Sequence, residues 1–238
     1  MSSNQSRDTF QIAIDGPVAA GKGTVSKLIA SRLNLLYVDT GAMYRMTALL
    51  GIRSGIDLNS EQALLPLVKE AEMSMRNPNE DEDDGRLSTV YLNGEDVSWK
   101  IRTEEVSQGA SQVAVHPKIR KELVKKQQLI AKKHNVIMEG RDITHRVLPD
   151  ADLKIYLTAN EIVRAKRRHF ELLSKGVDIE FDEVYQDLLE RDERDMNRKI
   201  DPLKIVPDAW VIDTSDLTIE QVVEVISAKA KSMIKDRG

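Results

Sequence analysis

Short runs of branched apolar residues punctuate the chain at residues 10–15 (FQIAID), 35–39 (LLYVD), 135–139 (NVIME), 153–157 (LKIYL) and 209–213 (AWVID). They are apolar on both faces rather than alternating, as parallel strands covered on both sides are. Helical spacing between and after them predicts helices over 22–33, 42–54, 117–134, 161–175, 182–199 and 219–235. Strands and helices in alternation predict an α/β fold, a five-stranded parallel sheet flanked by helices.

One segment breaks the rhythm. Residues 59–111 give a helix over 61–71 and then the hairpin-like stretch RLSTVYLNGEDV. In it Asn93-Gly94 is a turn signal between Val90-Tyr91-Leu92 and Asp96-Val97. The expected organisation is a core of 10–58 and 112–237, with a short lid at about 160–180, and an inserted subdomain over 59–111. The acidic run 77–85 (NPNEDEDDG) reads as a solvated loop, with a carboxylate metal site as the alternative. No internal repeat is present.

Composition narrows the function classes. Of 238 residues 41% are hydrophobic and 31% charged, ordinary for a globular protein, and 238 residues suffice for a large core. Aromatics are only 4% and the net charge is −4, which argues against a nucleic-acid partner. With no cysteine there is no disulfide, thiolate metal site or thiol chemistry. No apolar run reaches membrane-spanning length and the polar start MSSNQSRDTF lacks a secretory h-region, so a cytoplasmic protein without a membrane partner is expected.

The strand at 10–15 runs into Gly16, Pro17, Val18, Ala19, Ala20, Gly21, Lys22, Gly23 and Thr24 (GPVAAGKGT), and a helix follows. This is the G-x-x-x-x-G-K spacing of a phosphate loop in its proper strand-to-helix context. Glycines let backbone N–H groups converge on phosphate oxygens, the helix N-terminus adds its dipole, and Lys22 supplies a mobile charge. Gly23 stands where Ser or Thr is usual, moving the hydroxyl to Thr24. One residue rotates a helical side chain by about 100°, so Thr24 need not ligate Mg²⁺ as the usual hydroxyl does.

Three further clusters carry candidate chemistry. Asp39 to Arg45 (DTGAMYR) follows the second strand and offers Arg45 for a second anion. Glu139-Gly140-Arg141-Asp142 ends the third and presents opposite charges at the sheet edge, for binding or for structural pairing. In Arg191 to Arg198 (RDERDMNR), Arg191, Asp195 and Arg198 fall on one helical stripe, either a solvated salt-bridged face or a grip on a transferring phosphate. Arg164, Arg167 and Arg168 form another basic set that could close over ATP.

The form GKGT looks like the loop of nucleoside monophosphate kinases, and the whole chain resembles bacterial-type cytidylate kinases. The matching pieces are IDGPVAAGKGT, VDTGAMYR, LNGEDVSWKIRTEEVSQGASQVA, PKIRKELVKKQQ, EGRDI with PDADLKIYL, and RDERDMNR, in order along nearly the whole chain. The resemblance implies phosphorylation of CMP and dCMP by ATP with Mg²⁺, catalysed by Lys22, Arg141, Arg191 and Arg198. It implies ATP on residues 16–24 and Arg167, and a CMP site of Thr40, Arg45, Ser111, Arg120, Arg141, Asp142, Arg191, Asp195 and Arg198. No residue is assigned to the metal, the insertion is expected to bind CMP, and a monomer is expected. The chain departs from the family pattern at Val18-Ala19, usually Ser-Gly, at Thr40, usually Ser, and at Thr144-His145-Arg146, usually Gly-Thr-Val. A nucleotide-driven switch is the rival class, but no D-x-x-G motif occurs and Asn197 to Asp201 only loosely resembles N-K-x-D.

Overall fold

The computed structural model describes residues 8–82, 84–174 and 176–236. Asp83 of the acidic run, Lys175 at the end of an expected helix, Arg237 at the end of the expected core and residues 1–7 lie outside them. In chain order the elements are β1 (Gln11–Asp15), α1 (Lys22–Leu33), β2 (Leu36–Asp39), α2 (Thr40–Arg53), α3 (Glu61–Glu70), β3 (Met73–Arg76), β4 (Thr89–Leu92) and β5 (Glu95–Asp96). There follow α4 (Glu104–Val113), α5 (Pro117–Lys133), β6 (Val136–Gly140), β7 (Leu153–Thr158), α6 (Glu161–Ser174), α7 (Phe181–Asn197), β8 (Trp210–Asp213) and α8 (Ile219–Lys235).

Five strands form one parallel sheet in the order β2-β6-β1-β7-β8. Register aligns Asp39 with Glu139, and Asp15 with both Gly140 and Tyr156. The carboxyl ends of β2, β6, β1 and β7 therefore open into one crevice, where α/β sheets take ligands. Arg141 and Asp142 do not sit at a sheet edge as expected; β6 lies between β2 and β1, so they leave it in the middle of that crevice.

Each face of the sheet has its own core. Val25 and Ile29 of α1 pack with Val222, Val223 and Ile226 of α8 on one side. On the other, Met43 and Met46 of α2 join Leu64, Val68, Val90, Leu92, Val97 and Val106 from residues 59–111. β3, β4 and β5 make a small antiparallel sheet, and Asn93 and Gly94 turn between β4 and β5 with φ of 52° and 81°, as a tight hairpin needs.

Local chemistry accounts for the differences from the sequence reading. Helix α2 begins at Thr40 because the Asp39 carboxylate accepts from the Ala42 N–H and caps it. Helix α4 and strand β3 were not expected; α4 starts at a Thr103 cap followed by Glu104 and Glu105, a legible start signal. Helix α7 ends at Asn197 rather than 199. Arg198 is already extended (φ −61°, ψ 141°), and Asp201, before Pro202, takes a φ of 46°. Among the described residues no helix is long and apolar enough to cross a membrane.

Candidate active site

The phosphate loop spans the gap between β1 and α1. A β-carbon on Gly16 would lie 2.0 Å from the Leu157 carbonyl oxygen, so only glycine fits where the loop leaves the sheet. Gly21 caps α1 with φ 86°. Ala19 also adopts a left-handed φ, 56°, at a position carrying a β-carbon. Thr24 is exposed on the first turn of α1.

Behind the loop lies a clamp. The Arg164 guanidinium, buried in α6, donates to the Asp192 carboxylate and to the Val18 carbonyl, and Asp192 accepts from the Val18 N–H. Arg164 is thus not a lid cation free to close over ATP. Arg167 donates to the hydroxyl and carbonyl of Thr214 at 3.0 and 2.7 Å, and Arg168 pairs with Glu171.

Asp15 ends β1 fully buried. One oxygen accepts from the Ile143 N–H (2.9 Å), the other from the N–H and hydroxyl of Thr144 (2.8 and 2.6 Å). These bonds hold a π-helical turn over Ile143–Val147 directly after Asp142. Burial outweighs them and raises the Asp15 pKa to about 6. Thr144, at a position flagged as departing from the family pattern, is thus a structural partner of the loop's strand. His145 beside it has both ring nitrogens buried without a hydrogen-bond partner among the described residues, and burial and then Lys204 lower its pKa. Arg146 lies 3.7 Å from Asp201.

The expected acceptor residues divide into three groups. At the end of β2, Asp39 accepts from Arg45 (2.5 Å) and from Arg102 (3.1 Å), an arginine of the inserted segment that the sequence reading missed. Burial pushes the Asp39 pKa up, but the two guanidiniums outweigh it and hold it at about 2. Two cations on one carboxylate leave net positive charge at the crevice. Thr40 is buried and donates to the Glu139 carbonyl at 2.7 Å.

Deeper in, Arg120 is buried under Tyr44, its guanidinium 5.5 Å from the ring centre, and binds Asp142. Arg198 donates to the Asp201 carbonyl and lies 3.8 Å from Asp142 and 4.0 Å from Asp195. It is not on the α7 stripe, because the helix has ended, yet its side chain returns to the same cluster.

Between these groups Arg141 donates to Asp195 at 2.6 Å and to the Gly140 carbonyl at 3.2 Å. Arg191, one turn before Asp195 on α7, is exposed, and its guanidinium has no hydrogen-bond or ion-pair partner among the described residues. The dense protein around its guanidinium and the like charges of Arg141, Arg45 and Arg168 lower its pKa to about 10. Ser111 is exposed on α4 and its hydroxyl makes no hydrogen bond within the described residues.

The acidic run is occupied by arginines. Glu82 takes both Nη atoms of Arg76 at 2.6 Å, and Asp84 takes Arg86 and the Trp99 indole N–H. The Asn77 amide bonds the edge of β2, accepting from the Tyr37 N–H and donating to the Leu35 carbonyl.

A family model described as cytidylate kinase matches residues 12–232. A cytidylate kinase of Geobacillus sp. (strain WCH70) is 44% identical over 218 residues, 92% of this chain and 95% of that protein. One of Shouchella clausii (strain KSM-K16) is 44% identical over 217 residues, 91% of this chain and 94% of that protein. The solved structure of an uncharacterized protein from Eubacterium ventriosum ATCC 27560 aligns with TM-score 0.53 at 12% identity, covering 94% of this chain and 99% of that one, a likeness of fold.

Proposed function

The chain belongs to the cytidylate kinase family, and on that premise we propose how its residues divide the work of moving a phosphoryl group from ATP to CMP or dCMP. ATP lies on the loop of residues 16–24, with Lys22 on its β- and γ-phosphates and Arg167 at its far end. Mg²⁺ arrives with ATP as part of the substrate complex. CMP lies across the crevice, its phosphate toward Arg45, Arg102 and Arg191. Its nucleoside meets Thr40, Ser111, Arg120, Asp142, Asp195 and Arg198.

The observation that carries this reading is Arg191, a cation without a partner among the described residues, in a group whose other arginines are all paired. Like-charge crowding by Arg141 and Arg45 is relieved when an anion enters between them. The attacking oxygen belongs to a phosphate already anionic at neutral pH, so no strong general base is needed. Catalysis is positioning and charge neutralisation: Lys22, Arg141, Arg191 and Arg198 surround the transferring group. In this reading residues 59–111 form an inserted CMP-binding subdomain, residues 160–180 a short lid, and the enzyme works as a cytoplasmic monomer.

A coupled assay with ATP and each of CMP, dCMP, UMP and AMP tests the reading. CMP and dCMP should give the highest kcat/KM. A higher value for UMP or AMP would move the specificity elsewhere, and slow ATP hydrolysis indifferent to CMP would make the chain a switch.

A further inference from the structure

Lys22 is an ammonium with little company. It is 6% exposed, and its Nζ donates one hydrogen bond, to the Pro17 carbonyl at 2.7 Å. No carboxylate lies within ion-pair distance of it among the described residues. The charged groups that act on it come from three elements: Arg141 and Glu139 at the end of β6, Asp195 on α7 and Asp15 on β1. Two of these acids already hold other groups. Asp15 holds the turn at Ile143 and Thr144, and Asp195 holds Arg141.

Glu139 differs. Its Oε1 accepts from the Tyr37 hydroxyl at 2.6 Å, and its other oxygen takes no hydrogen bond among the described residues. Gly23 shows where this carboxylate lies. A β-carbon at position 23 would sit 3.1 Å from Glu139 Oε1, 3.3 Å from the Tyr37 hydroxyl and 3.0 Å from Leu87 Cδ1. The Tyr37–Glu139 pair therefore fills the space against the residue that follows Lys22, the space that a Ser or Thr there would need.

We propose that Glu139, held in place by Tyr37, is a positioning residue that supplies the counter-charge to Lys22, and that Gly23 makes room for this pair against the first turn of α1. The inference rests on the reading of Lys22 as the ATP phosphate ligand. Burial and then Arg141 lower the Lys22 pKa to about 7, and Glu139 is the first group opposing them. Burial and then Asp39 raise the pKa of Glu139 itself, and removing its charge lowers the Lys22 pKa further, so that a smaller share of Lys22 meets ATP charged at physiological pH. Tyr37 keeps its proton throughout, because burial and the Glu139 charge raise its pKa well above the ordinary phenol value, so it remains a donor to Glu139.

The test is the pH profile of kcat/KM for MgATP at saturating CMP, which reports groups in the ATP-free enzyme. In Glu139→Gln the fall in rate on the alkaline side should move down by about one pH unit, a loss of about tenfold at pH 7.5 that is largely recovered at pH 6. Tyr37→Phe, which keeps the ring and leaves Glu139 in place, should shift the profile the same way by less. A uniform loss at every pH, or an unmoved profile in both variants, would overturn the proposal. If the wild-type protein showed no CMP-dependent turnover, the functional reading itself would fail. Normal wild-type turnover with an unmoved Glu139→Gln profile refutes this inference alone.

Discussion

Arg164 and Asp192 meet behind the phosphate loop at 2.5 Å and between them hold both backbone groups of Val18. With Arg164 only 3% exposed, Arg164→Ala would leave Asp192 buried without its partner. The expected cost is about 3–5 kcal/mol of stability, the range for breaking a buried ion pair from one side. Urea unfolding measures it, and Arg167→Ala, at a half-buried site, serves as the milder comparison. A loss from Arg164→Ala no larger than from Arg167→Ala would contradict the clamp.

Ala19 holds a left-handed φ of 56° with a β-carbon in place. Relief of that conformation is worth about 1–2 kcal/mol, against about 0.5–1 kcal/mol for the extra freedom of an unfolded glycine. Ala19→Gly should therefore stabilise the protein by about 0.5–1 kcal/mol, seen as a higher Tm, with the phosphate loop otherwise unchanged.

Among the described residues the Arg191 guanidinium has no partner to lose. Arg191→Ala should change stability by no more than about 0.5 kcal/mol yet lower kcat by about 10²–10³-fold, as removal of a transition-state donor does. Steady-state kinetics with ATP and CMP, beside a urea curve, separates the two effects. Near-normal kcat would remove Arg191 from the catalytic group.

Asp15 gives a pH dependence of definite sign. Its carboxyl titrates at about 6 in the fold, against 3.8 in the unfolded chain, so the folded state binds the proton more tightly. Its contribution to stability is complete below pH 3.8 and is lost as pH rises through about 6. The stability gap between wild type and Asp15→Asn should widen by up to about 3 kcal/mol as pH falls from 7 to 4. Urea midpoints across that range measure the gap, and a constant gap would mean that Asp15 titrates normally.

Local patterns were legible in the sequence wherever a few neighbouring residues determine the outcome. The strand before Gly16, the glycines of the loop, the Asn93-Gly94 turn and the alternation of strands and helices all belong to that class. Helix α4 was signalled too, by Thr103, two glutamates and the helical spacing of Val106, Gly109 and Val113. What could not be read were pairings between distant positions. Arg164 looked like a lid cation until Asp192, on another helix, was seen to neutralise it. Arg102 gave no sign that it shares Asp39 with Arg45. The RDERDMNR stripe was right for Arg191 and Asp195, which lie on α7, and wrong in its premise for Arg198, because the turn before Pro202 ends the helix first.

The small amide of Asn77 has a consequence beyond the crevice. Strand β2 is an outer strand of the large sheet, and the groups Asn77 takes up, the Tyr37 N–H and the Leu35 carbonyl, point away from its neighbour β6. Those are the groups a strand from another molecule would need in order to add itself to the sheet. One side chain thus occupies two of the ladder groups that a strand adding itself at β2 would have to bond.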